Sequence, residues 1–135
     1  QVAASISPVA RKLIQRFFPG PLSLVVRKSP RIPGEVTAGL STVCVRMPSP
    51  ALTRRFLKAC GVPVAAPSAN LSGKPSPTTW QHAFDDLRGR IPLVLKGPAA
   101  KFGTESTVID CTTTPPCLLR PVAKRDHWHI ARIGQ

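Results

Sequence analysis

The chain has 135 residues, and its 19 Lys and Arg outnumber six Asp and Glu to give a formal net charge of +13. That length bounds it to at most one ordinary domain with a single core. Its 42% hydrophobic content is globular, and no apolar run is long enough to cross a bilayer. The charge asks for an anionic partner, nucleotide phosphates or RNA or both, with a solvated basic surface as the plain alternative. Aromatic residues make up only 5% and include no Tyr, which argues against a stacking platform for single-stranded nucleic acid.

Helices and strands alternate along the chain. Ser7 and Pro8 read as the cap and first position of a helix, with Val9, Leu13, Ile14 and Phe17 at helical spacing until Pro19-Gly20 stops it. Leu22 to Lys28 reads as a strand, the Pro- and Gly-broken stretch after it as a loop, and Thr42 to Met47 as a second strand. Ser49-Pro50 repeats the helix signal, with Leu52, Phe56 and Leu57 on one face and Gly61 as the stop. A short strand at Val62 to Pro67 leads into a polar turn. A third helix follows, with Trp80, Ala83, Phe84 and Leu87 inward and Gly89 at its end. Three more strands are expected in "IPLVLKG", "STVIDC" and "CLLRPV". This order predicts an α/β domain with a mixed sheet. The tail, "AKRDHWHIARIGQ", follows no clear period.

The four cysteines, Cys44, Cys60, Cys111 and Cys117, form no Cys-x-x-Cys pair and no metal spacing with the three histidines. Three lie in apolar stretches and are expected to be reduced core thiols. With no signal peptide in view, a cytoplasmic or organellar compartment is the expectation. His82 reads as an exposed helix residue and His127 and His129 as tail residues, so no Ser-His-Asp triad is expected.

The chemistry concentrates in "AAPSANLSGKPSPT", Ala65 to Thr78. "SGKPS" is not a Walker A loop: the position five before Gly73 is Ser68, and Pro75 follows Lys74 where a magnesium-binding hydroxyl is required. Ser68, Asn70, Ser72, Ser76 and Thr78 are instead neutral donors on a backbone stiffened by Pro67, Pro75 and Pro77. Such a turn, running into a helix N-terminus, suits nucleotide or carboxylate oxygens. The same composition equally suits a loop whose hydroxyls and amide satisfy its own backbone.

"FPGPLSLVV", "TVCVRMPS", "PVAAPSANLSGKPSPT", "ESTVID" and "LLRP" fall in the order found in the YrdC-like threonylcarbamoyl-AMP synthase family, which the chain resembles from about Ser7 to Pro121. The resemblance implies an open twisted mixed α/β sheet flanked by helices. It also implies condensation of L-threonine, bicarbonate and ATP, with Mg2+ on the ATP, into threonylcarbamoyl-AMP and pyrophosphate. A threonylcarbamoyl-transferase complex would then modify tRNA. By motif, Thr42, Ser68, Asn70, Ser76 and Arg120 resemble ATP contacts. Arg46, the Ala66 backbone and Ser106 resemble threonine contacts. Thr42 and Arg46, four apart on a strand, are expected to project from one face.

The chain departs from the family at both ends. No Lys-x-Arg motif appears in Gln1 to Val9, so the N-terminal portion of the domain, and with it the main polyphosphate cations, is expected to be absent. Residues 1–123 then read as a truncated YrdC-like domain. Residues 124–135 read as a divergent tail, since Arg120-Pro121 runs on into Val122 in place of the family's glycine. If the absent part supplies strands, an exposed edge and lowered stability are expected. The competing function is a basic module that binds double-stranded RNA or tRNA without catalysis. A related carbamoyl-transfer domain is a third.

Overall fold

Ser7 starts the first helix as its sequence predicts. In the computed structural model, which describes residues 1–100 and 105–121, α1 spans Pro8–Phe17 and the Ser7 hydroxyl accepts from the Ala10 amide at 3.3 Å. The chain then turns at Pro19-Gly20. Gly20 is required there because a Cβ would collide with the Phe17 carbonyl oxygen. β1 (Leu22–Arg27) follows, then a loop containing one 3-10 turn at Gly34–Thr37, then β2 (Thr42–Val45). The order continues with α2 (Ala51–Cys60), α3 (Trp80–Leu87), β3 (Thr107–Asp110) and β4 (Cys117–Arg120).

The strands form one open mixed sheet in the order β2-β1-β3-β4. β1 is antiparallel to β2 and parallel to β3, and β3 is antiparallel to β4. The register sets Leu24 against Val45 on one side and Ile109 on the other. Because strand side chains alternate, Leu22, Leu24 and Val26 share a face, and α1 covers it with Ala10 and Leu13. Ile109 and Cys111 complete this buried core, with Val43 and Val45 packed at its margin. The predicted α/β class and mixed sheet hold. The chain divides into two compact units, one from Gln1–Val64 with the segment that begins at Ser106, the other from Ala65–Glu105.

Several local expectations are corrected. The stretches Val62–Pro67 and Ile91–Gly97 form no strand, since neither finds a hydrogen-bonded ladder among the described residues. Their apolar side chains are exposed accordingly, Leu93 to 70%. α2 begins at Ala51, not after a Ser49 cap. Pro50 stays extended and occupies the cap position, with no side-chain cap bond, while Gly61 does stop the helix in the left-handed region. None of α2 is buried, so its apolar stripe of Leu52 and Phe56 faces solvent. In α3 the Thr79 cap bonds the His82 amide, but only Ala83 is buried, and Phe84 is exposed. All four cysteines are free as expected, yet only Cys111 is a core thiol. Cys44 and Cys117 lie in exposed positions. The divergent tail lies outside the described residues.

Leu24 is fully buried at the centre of the sheet. Leu24→Ala is expected to cost about 2–5 kcal/mol, measured by urea unfolding, because it removes transfer energy and leaves a cavity. Leu52→Ala, on the bare stripe of α2, should cost under about 0.5 kcal/mol.

Candidate functional site

The face of the sheet turned away from α1 carries the polar side chains. Val43 and Val45 pack toward the core, so Thr42, Cys44 and, one residue past β2, Arg46 project the other way. Thr42 lies opposite Arg27 and Cys44 opposite Val25. One further step in that register sets Arg46 opposite Ser23. Ser23 and Ser106 are buried, at 6% and 5% exposure, and their hydroxyl oxygens are 2.7 Å apart. Arg120, at the end of β4, donates from Nε to the Ser106 carbonyl at 3.0 Å and from Nη2 to the Ser106 hydroxyl at 3.3 Å.

Cys44 reports the field on this face. The packed surface around the thiol desolvates its thiolate and raises its pKa, although the residue keeps an exposed edge. A hydrogen bond with Ser23 and the charges of Arg120 and Arg46 pull the other way. Two guanidinium groups therefore act on one patch of sheet that also offers hydroxyls. Planar, permanently charged forks beside hydroxyl donors suit a carboxylate or phosphate. The expectation that Thr42 and Arg46 share a face holds, and Ser106 and Arg120 join them on the same sheet.

The other four sequence-derived positions, Ala66, Ser68, Asn70 and Ser76, belong to the unit Ala65–Glu105. Ala66 and Ser68 are exposed. Asn70 braces its own turn: its amide nitrogen donates to the Leu71 and Lys74 carbonyls, both at 2.9 Å. Its Oδ1 is enclosed and has no partner among the described residues. Ser76 donates to Glu105 Oε1 at 3.3 Å. Lys74, the residue that makes the turn look like a phosphate loop, is held by Asp86 of α3 at 2.6 Å. The Leu71 amide donates to the second oxygen of the same carboxylate at 3.3 Å. Gly73 sits at φ +85°, which a lysine-bearing turn this tight needs from glycine.

Similarity to known proteins gives the family of the chain. The Sua5/YciO/YrdC family model, described as "Telomere recombination", matches residues 1–122. The chain belongs to the Sua5/YciO/YrdC family. It is 48% identical over 120 residues to the threonylcarbamoyl-AMP synthase of Pyrococcus abyssi, covering 89% of this chain and 35% of that protein. It is 48% identical over 113 residues to the Bacillus subtilis threonylcarbamoyl-AMP synthase, covering 83% of this chain and 33% of that one. The crystal structure of P. abyssi Sua5 complexed with L-threonine superposes with a TM-score of 0.87 at 47% identity, covering 90% of this chain and 36% of Sua5. E. coli YciO, at 22% identity, shares the fold with a TM-score of 0.79 over 92% of this chain and 60% of its own. The chain thus spans about a third of the length of the P. abyssi and B. subtilis synthases.

Three residues of these clusters were not singled out from the sequence. Ser23 stands between Leu22 and Leu24, where alternation marks it only as facing away from the core. Cys44 read only as one of four cysteines without metal spacing. Asp86 carried no reading of its own, although it is an acid twelve residues after the lysine of a basic, acid-poor turn.

Lys74 and the Leu71 amide hold the Asp86 carboxyl below its ordinary value of 3.8. A lowered folded pKa favours the charged form in the fold. The clamp therefore contributes fully above 3.8 and is lost as pH falls through the lower folded value. Amide-exchange protection of Leu71 and Lys74 is expected to fall on acidification below that value. In Asp86→Asn the same amides should be less protected at neutral pH and no longer respond to acid.

Proposed function

We propose that this chain is part of an L-threonylcarbamoyladenylate synthase, which condenses L-threonine, bicarbonate and ATP into threonylcarbamoyl-AMP and pyrophosphate for tRNA threonylcarbamoyladenosine modification. The observation that carries this reading is the patch of Arg46, Ser106 and Arg120 on the solvent-turned sheet face. It lies in a chain of a family in which the P. abyssi relative has been crystallised with L-threonine. Arg46 and Ser106 take the threonine carboxylate, with the Ala66 backbone beside the amino acid. Arg120, Thr42, Ser68, Asn70 and Ser76 serve the nucleotide.

The chemistry asks for positioning and charge stabilisation more than for a strong base. The threonine amine captures carbon dioxide as a carbamate, and a carbamate oxygen attacks the α-phosphorus of ATP as pyrophosphate leaves. Negative charge spreads over the phosphate, where a guanidinium and oriented hydroxyls lower its energy. In this reading Mg2+ comes with ATP, on its phosphates, as part of the substrate. A cytoplasmic setting goes with this reading, as do a threonylcarbamoyl-transferase complex as the consumer of the product and tRNA as the final acceptor.

The net charge of +13 favours a second reading, a module that binds double-stranded RNA or tRNA without catalysis. Titration calorimetry of the whole protein with L-threonine, followed by pyrophosphate release with threonine, bicarbonate and ATP, separates the two. Saturable threonine binding is expected, weakened roughly 10- to 150-fold in Arg46→Ala, as for the loss of one charge-assisted hydrogen bond. Binding of RNA that falls steeply with salt, in a protein indifferent to threonine, would instead support the RNA module.

A further inference from the structure

Ser106 sits in an unusual hydrogen-bond position. A serine hydroxyl has one proton and two lone pairs, whereas a guanidinium can only donate. Arg120 Nη2 therefore occupies one lone pair of Ser106 Oγ. The Ser23 hydroxyl, 2.7 Å away and buried on β1, makes the second bond. Either hydroxyl can be the donor of that bond. In both arrangements Ser106 Oγ is held between Arg120 of β4 and Ser23 of β1, so its rotation is restricted from two sides.

We infer that Ser23 is a positioning residue that holds the Ser106 hydroxyl in place for the bound amino acid. It acts through Ser106, which Arg120 holds from the opposite side, so two elements of the sheet converge on one hydroxyl. Without Ser23, the Ser106 hydroxyl is freer to rotate, so its orientation must be fixed at the moment of binding. The inference rests on the threonine reading proposed above.

The test is an isosteric pair in the whole protein. Ser23→Thr keeps the hydroxyl and Ser23→Val has nearly the same shape without it, so packing alone moves both alike. L-Threonine affinity by calorimetry and the steady-state constants for pyrophosphate release are the readouts. Ser23→Val is expected to bind L-threonine roughly 3- to 10-fold more weakly than Ser23→Thr, the scale of one neutral hydrogen bond. The loss should appear in KM for threonine with kcat nearly unchanged, while Ser23→Thr stays close to wild type. Equal affinities of the two variants, with normal binding by the wild type, overturn this inference alone. Failure of the wild-type protein to bind L-threonine overturns the threonine reading and this inference with it.

Discussion

The parallel pairing of β1 with β3 holds the molecule's chemistry and its core in one register. Leu24 beside Ile109, under α1, is the apolar half of that pairing. The hydroxyls of Ser23 and Ser106 meet on the other side of the same ladder. A strand's side chains have a period of two, so a slip of one residue would carry Ser23 into the core and Leu24 out of it. The hydrophobic cost of that exchange is what keeps the two hydroxyls together. Packing on one face thus specifies the polar arrangement on the other, and no separate interaction is needed to align them.

The two units handle polarity differently. On the sheet, guanidinium groups stand beside buried hydroxyls, and their charge acts on a common neighbour, Cys44. In the turn at 65–78 the one lysine is neutralised by Asp86, and what remains are neutral donors and the enclosed amide oxygen of Asn70. The sequence already excluded Lys74 from a Walker A loop. Its ion pair makes it a fastening between turn and helix, and the hydrogen bonds of Asn70 tighten the same turn from within.

How much of this could be read from the sequence depended on where the deciding contact lay. Caps and stops are local, so Ser7, Gly61 and the Pro19-Gly20 corner were legible. Alternation identified the faces of β1 and β2, and therefore the shared side of Thr42 and Arg46. Local signals misled where a partner strand decides the outcome. Val62 to Val64 and Ile91 to Leu95 have strand-like composition, but a strand exists only where a neighbour accepts its hydrogen bonds. Pro50 shifted a helix start by one residue because it held the extended conformation. The motif order supplied the candidate site positions, yet the link from Ser23 to Ser106 crosses 83 residues of chain and leaves no trace in either local stretch.

That separation has a kinetic side. β1 is complete long before its parallel neighbour exists on the ribosome, and at ordinary elongation rates the intervening 83 residues take roughly 4 to 17 seconds to appear. Through that interval β1 can zip against β2, a short-range antiparallel hairpin-like pairing, while its other border stays bare. The nascent sheet must wait for late-emerging residues before it can close, which makes this border the natural place for a chaperone to bind or for misassembly to begin.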